Sequence, residues 1–229
     1  MRIFSLPVEL VILDVDGVIL DILGGLRRNL EEAALHFGLP IHPIAQSISD
    51  IAAEKIRIKG NAHDSACMSW PSLDEEEISS FINYFHEVER ASPYALIEGS
   101  YEVISFLRSC GIPLALATNN PMKNLLWRLE TANIDPAWFA AIVTKDNPYF
   151  KPHPKTFDPI FDIVPCVRNH AWYIGDLQID WEMACNAGVR FIAVLTGGVP
   201  RSAFLNEGMA AANILPSLTD ILECVSLEG

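Results

Sequence analysis

The chain has 229 residues, 50% hydrophobic and 20% charged, a composition that excludes a disordered protein and a small disulfide scaffold. Its 16 basic and 29 acidic residues give a formal charge of −13, which disfavours nucleic acid as a partner but leaves open a small anionic ligand. The five cysteines include no C-x-x-C pair, and no apolar run approaches the roughly 18 residues of a membrane span. We therefore predict a cytoplasmic protein without a membrane partner.

Short apolar runs with the pattern of strands buried on both faces recur along the chain, at residues 8–13, 113–117, 141–143, 171–174 and 191–195. Segments with helical spacing lie between them, such as the one that carries Leu125 and Leu129 after Pro121. Alternation of strands and helices predicts an α/β fold with a parallel sheet.

One stretch, from about residue 22 to 91, breaks this alternation and has only helical patterns. The predicted core face of its first helix comprises Leu26, Leu30, Ala33 and Phe37, with Gly38 as terminator. A second helix carries Ile44, Ile48, Ile51 and Ile58 and ends near Gly60, and a third, with Ile78, Phe81, Ile82, Phe85 and Val88, opens at the acidic turn 74–77. We predict an α/β core formed by residues 1–20 and 92–229, with a helical domain inserted at 21–91.

Two carboxylates follow the first predicted strand. Asp14 and Asp16 are at positions i and i+2, which point to the same side of an extended chain, and Gly17 permits a sharp turn after them. Ligands of open α/β sheets bind beyond the carboxyl ends of the strands, so a catalytic pair fits this position. A simple Asp-x-Asp-Gly turn is the alternative.

Three later strand ends also carry polar side chains. Thr118 and Asn119 follow the second strand, where Thr118 is either an anion-binding hydroxyl or a helix N-cap. Lys151 lies between prolines, as a site cation or a solvated lysine. Asp176 and Asp180 follow the fourth run, and Asp180 is alternatively a helix cap. Each pattern is common alone, but the ordered set is not.

This ordered set resembles the four motifs of the haloacid dehalogenase-like hydrolases, and within them the phosphoglycolate phosphatase-like group with a helical cap. Asp14-Val15-Asp16-Gly17 is similar to the first motif, Thr118-Asn119 to the second, Lys151-Pro152 to the third, and 175–180 to the fourth. The resemblance implies a Rossmann-like parallel core with an all-helical cap.

The resemblance also implies a role for each residue. Asp14 would be the nucleophile that forms an aspartyl-phosphate, and Asp16 the general acid and base. Mg²⁺ would be held by Asp14, the backbone carbonyl of Asp16, and Asp176. Thr118, the backbone N–H of Asn119, and Lys151 would bind the phosphoryl oxygens, while Asp180 would reach the ion through water or orient Lys151.

The expected activity is hydrolysis of a small phosphorylated metabolite by a monomer or homodimer, with substrate contacts from cap residues Arg28 and Lys59. Family members that cleave carbon–halogen bonds lack the second aspartate, so Asp16 favours phosphoryl transfer over dehalogenation. A sugar phosphomutase shares these motifs and stays open. A phospho-acceptor domain without turnover is the alternative outside enzymes, although such domains are about half this length.

Overall fold

The computed structural model describes residues 1–52 and 62–227. Its helices are α1 (Leu23–His36), α2 (His42–Ala52), α3 (Ala62–Ser69), α4 (Glu75–Ala91), α5 (Ser100–Ser109), α6 (Met122–Thr131), α7 (Asp158–Ile163), α8 (Gln178–Ala187), α9 (Arg201–Asn206) and α10 (Ile221–Cys224). Its strands are β1 (Arg2–Ile3), β2 (Leu6–Pro7), β3 (Leu10–Leu13), β4 (Leu20–Asp21), β5 (Ala95–Leu96), β6 (Leu114–Ala117), β7 (Ala141–Val143), β8 (Ala171–Gly175), β9 (Arg190–Val194), β10 (Ile214–Leu215) and β11 (Val225–Ser226). Within these residues no helix has the length and apolar character to cross a membrane.

The chain divides into two compact units, one formed by residues 1–21 and 95–229 and the other by residues 22–94. The first unit is built on a six-stranded sheet in the order β10-β9-β8-β3-β6-β7. Every neighbouring pair in this sheet is parallel, and the three central strands are buried along their whole length. The predicted α/β class with a parallel sheet is confirmed.

The register of this sheet brings the carboxyl ends of its central strands to one level. Leu13, the last residue of β3, lies opposite Leu116 of β6 and Ile174 of β8. Residues that follow these positions therefore emerge at the same edge of the sheet. From β3 the chain continues to β6 on one side of this strand and later to β8 on its other side. The strand order therefore reverses at β3. Ligands of α/β sheets bind at such a reversal point.

Some predicted strand bounds differ from the structure. The first strand begins at Leu10 and not at residue 8, because Val8 and Glu9 bond instead to Met1 and His170. The last predicted run ends at Val194, since Leu195 begins a 3₁₀ turn. Two small antiparallel sheets, β11-β1-β2 and β4-β5, were not predicted, because strands of two residues leave no periodic pattern.

The second unit has an apolar core to which α1, α2, α3 and α4 contribute. Leu30, Ala33, Phe81 and Phe85 are buried in it as predicted, whereas Phe37 is 41% exposed because α1 ends one residue earlier. Helix α4 begins with a reciprocal cap between Asp74 and Glu77, each accepting the other's backbone N–H at 2.9 Å. Helix α3 was not predicted, and Ile58 and Gly60 lie outside the described residues.

Candidate active site

A buried carboxylate, that of Asp14, lies at the carboxyl end of β3 in the large sheet. Asp14 directly follows β3, is 4% exposed, and its Oδ1 accepts the backbone N–H of Val15 at 2.7 Å. Its own N–H donates to the carbonyl of Ile174 at 2.9 Å, which ties it to β8. Gly17 then turns the chain with a φ of +75°, a conformation that favours glycine. The predicted turn at Gly17 is therefore confirmed, and the catalytic role of the two aspartates stays a prediction.

Lys151 joins the acids that follow two different strands. Its buried ammonium group lies 2.7 Å from Asp14 Oδ2, 2.8 Å from Asp180 Oδ1 and 2.9 Å from the hydroxyl of Tyr173. Three acceptors match the three donors of a lysine. The alternative of a solvated lysine is wrong, and a phosphoryl oxygen that approaches this group would have to share or replace one of these partners.

Both carboxylate oxygens of Asp180 accept hydrogen bonds from protein groups. Its Oδ1 accepts from Lys151 and from the Tyr173 hydroxyl at 2.7 Å, while its Oδ2 accepts the N–H of Leu177 at 3.1 Å. It therefore caps the start of α8 and holds Lys151 at the same time. The role of Tyr173 was not predicted, although a tyrosine within a fully buried strand requires a partner for its hydroxyl.

Asp176, in contrast, has one carboxylate oxygen without a hydrogen-bond partner among the described residues. The residue is 4% exposed, and this oxygen is the buried Oδ1. Gly17 and Gly197 leave space for the carboxylate, because a Cβ at either position would overlap its Oδ2. Ligand oxygens of Asp14, Asp176 and Asp180 lie within 4.8 Å of one another. Carboxylate oxygens are the donors that a hard cation such as Mg²⁺ selects, and Asp176 offers one without a partner among the described residues, so this set fits a metal.

Burial and crowding shift the ionisation of these groups. Burial raises the pKa of Asp14 to about 7, against the lowering effect of Lys151. The pKa of Asp176 is raised well above its usual value by burial and by the charges of Asp14 and Asp180. Burial alone would lower the pKa of Lys151, but Asp14 and Asp180 raise it above the ordinary lysine value. If all three carboxyl groups were ionised, the site would hold more negative charge than one lysine balances.

A threonine hydroxyl lies just after the carboxyl end of β6. Thr118 is 3% exposed, and its Oγ1 accepts from the backbone and side-chain nitrogens of Asn120 at 3.2 and 3.1 Å. It does not cap a helix, because Pro121 precedes α6 without any side-chain cap. The Oδ1 of Asn119 is buried without a hydrogen-bond partner in the described parts of the chain.

Asp16 binds two side chains that are not part of the lysine-centred cluster. Arg128 of α6 donates from one nitrogen, Nη1, to both carboxylate oxygens at 2.6 and 2.7 Å, and Asn120 donates to Oδ2 at 2.9 Å. Neither partner was predicted. The available signal was the position of Arg128 three residues after Leu125, which places a charged side chain on the apolar face of a predicted helix.

The sequence predicts two substrate contacts in the helical unit, Arg28 and Lys59. Arg28 lies on α1 and is exposed. Lys59 lies outside the described residues. Both remain predictions.

Comparison with known proteins shows the family of this chain. The sequence model of the haloacid dehalogenase-like hydrolases matches residues 11–194, a span that contains all four strand-end motifs. The chain belongs to this family. The recognition made from the motifs is confirmed, and so is the predicted enzyme class, a haloacid dehalogenase-like phosphatase.

Relatives within the family carry related names. Phosphoglycolate phosphatase 1 of Pseudomonas aeruginosa is 28% identical over 94% of this chain and 79% of its own length. A crystal structure of a predicted phosphoglycolate phosphatase from Haemophilus somnus superposes with a TM-score of 0.76 at 21% identity, over 94% of this chain and 97% of that one. A protein from Thermotoga maritima assigned as a beta-phosphoglucomutase gives 0.73 at 22% identity, with the same coverage. At these identities the structural likenesses establish the fold alone.

Proposed function

We propose that this haloacid dehalogenase-like phosphatase hydrolyses small phosphate monoesters through an aspartyl-phosphate, with Mg²⁺ as cofactor. The observation that carries the proposal is the buried cluster in which Lys151 contacts Asp14 and Asp180 while an oxygen of Asp176 has no partner among the described residues. In a cluster with a purely structural role, a buried carboxylate oxygen is expected to have a hydrogen-bond partner.

Asp14 would act as the nucleophile. A carboxylate oxygen forms a bond to phosphorus, the bond from phosphorus to the ester oxygen breaks, and the bonding pair leaves with that oxygen. Lys151 and Thr118 donate hydrogen bonds to the phosphoryl oxygens, where negative charge must be stabilised. The backbone N–H of Asn119 is proposed to donate there as well.

Asp16 would move the proton in both steps. It donates a proton to the departing ester oxygen, and it later accepts one from the water that attacks the aspartyl-phosphate and releases inorganic phosphate. Asp14 is regenerated, so atoms and charge balance over the cycle. Asp180 contributes by holding the Lys151 ammonium group beside Asp14.

Asp14, the backbone carbonyl of Asp16, and Asp176 would hold Mg²⁺. When bound, the ion would offset the repulsion between these carboxylates and a phosphate dianion, a repulsion that one lysine cannot balance. The pKa of about 7 for the buried Asp14 carboxyl makes this charge compensation a condition for a reactive carboxylate near neutral pH.

The substrate is proposed from the names of the relatives. Phosphoglycolate is the first compound to test, alongside phosphorylated sugars, nucleoside monophosphates and pyrophosphate. The helical unit is proposed as the cap that selects among them, with Arg28 and Lys59 as contacts. A cytoplasmic monomer or homodimer remains the expectation.

The test is release of inorganic phosphate from this panel and from p-nitrophenyl phosphate, with Mg²⁺ and with EDTA. We expect metal-dependent release that Asp14→Asn abolishes, whereas Asp158→Asn, at a half-exposed ion pair with Arg168, keeps wild-type turnover. Release that is insensitive to EDTA or to Asp14→Asn would overturn the proposal. Sugar-phosphate isomerisation primed by a bisphosphate, without free phosphate, would establish the phosphomutase alternative.

A further inference from the structure

Asp16 is held from two sides by residues that lie outside the family motifs. Arg128 contacts both oxygens of the carboxylate through Nη1, and the Asn120 amide contacts one of them. The Arg128 side chain is only 7% exposed, whereas that of Asp16 is 21% exposed. The arginine therefore approaches the carboxylate from the protein interior and leaves part of Asp16 accessible.

A buried arginine is retained only where its charge is paired, because removing a guanidinium from water carries a large desolvation cost. Here one partner is Asp16, the side chain that we assign to proton transfer. Asn120 also donates to Thr118 Oγ1 at 3.1 Å, so one amide links Asp16 to the proposed phosphate-binding hydroxyl. The orientation of Asp16 relative to the phosphoryl site is thus set by contacts between protein groups.

We propose that Arg128 is a positioning residue, which directs the Asp16 carboxylate toward the ester oxygen that leaves. This inference rests on the proposed function. It predicts a loss that depends on the leaving group, because an alkoxide requires the proton from Asp16, whereas p-nitrophenolate departs readily without one. A residue with a purely structural role would affect both substrates alike.

The experiment compares Arg128→Met with wild type on phosphoglycolate, or on the best alkyl monophosphate of the panel, and on p-nitrophenyl phosphate. We expect kcat/KM to fall by about 10-fold or more for the alkyl ester and by less than about 3-fold for the aryl ester. In an Asp16→Asn background, Arg128→Met should cause almost no further loss, because the group that it positions is already absent.

Arg108→Met is the matched control, since the Arg108 guanidinium stacks on Trp138 at 4.5 Å, and both activities should be kept. If Arg128→Met does not fold by circular dichroism, Arg128→Lys, which keeps the charge with a different reach, is judged by the same two criteria. Equal losses on both esters, or losses fully additive with Asp16→Asn, would overturn the inference while leaving the proposed function intact. A wild-type chain that releases no phosphate would overturn both.

Discussion

The core of the helical unit and the carboxyl edge of the large sheet bury different kinds of side chain. The helical unit is centred on apolar side chains such as Leu30, Trp70 and Phe81. The carboxyl edge of the large sheet instead buries Asp14, Asp176 and Asp180 around Lys151. Apolar burial stabilises a fold at every pH, whereas buried charge is tolerated only while it is balanced. The two regions should therefore respond differently to loss of a cation, to pH and to metal ions.

Removal of the buried lysine should have the largest effect. Lys151→Met leaves the surrounding carboxylates without their cation, and we expect a loss of about 3–5 kcal/mol in unfolding free energy at pH 7.5, measured by urea titration, together with near-complete loss of turnover. Lys155→Met is the control, because Lys155 is exposed and should change stability by less than about 0.5 kcal/mol. Equal stability of the two variants would remove the contrast between the regions.

Truncation of a side chain in the helical core should cause a large loss of stability that does not depend on pH or on metal ions. Phe81 is fully buried, with its ring 4.9 Å from that of Trp70, and Phe81→Ala should cost about 3–5 kcal/mol. The same loss is expected at pH 5 and pH 7.5, with and without Mg²⁺. A loss that changes with pH or metal would show that the apolar region is coupled to the charged one.

The pH dependence of stability should expose the buried carboxyl. Unfolded Asp14 releases its proton near pH 4 but the folded protein keeps it until about pH 7, so the folded state binds the extra proton between these values. Its contribution to stability in EDTA therefore falls as pH rises from about 4 to about 7, by at most about 1.4 kcal/mol per pH unit. Asp14→Asn removes this contribution and also lessens the upward shift in the pKa of Asp176, which acts in the same direction. The stability of the variant minus that of wild type should therefore grow over this window. A constant difference would contradict the prediction.

The smallest effect concerns the carboxylate with the unpartnered oxygen. Asp176→Asn removes one of the competing negative charges, and we expect the metal-free protein to gain about 1 kcal/mol. In thermal unfolding experiments, increasing Mg²⁺ should raise the melting temperature of wild type by mass action but leave that of Asp176→Asn unchanged. Asp158→Asn should respond to Mg²⁺ as wild type does. Persistent stabilisation of Asp176→Asn by Mg²⁺ would place the ion elsewhere.

Much of the charged region could be predicted because parallel strands end at one edge. Asp14, Thr118 and Asp176 each follow a recognisable apolar run, and the register of β3 with β6 and β8 then brings them together. Helical spacing, in turn, predicted most of the buried face of α4. It was wrong for Phe37, since a helical pattern does not show that the helix ends one residue before it.

The partners of the site residues could not be predicted in this way. Arg128 meets Asp16 across 112 positions of the sequence, and Tyr173 meets Lys151 across 22. Such pairs depend on how a helix packs beside a strand, which periodicity does not specify. The unpartnered oxygen of Asp176 likewise follows from three-dimensional packing.

The two glycines beside Asp176 also restrict how this sequence can change through descent. Gly17 and Gly197 are 180 positions apart, yet a methyl group at either one would collide with the same carboxylate. In lineages that keep Asp176, both positions should therefore stay glycine. In lineages that lose the aspartate, Gly197 should become free to change, whereas Gly17 stays restricted by its positive φ. The alignment columns of Asp176 and Gly197 would then vary as a pair.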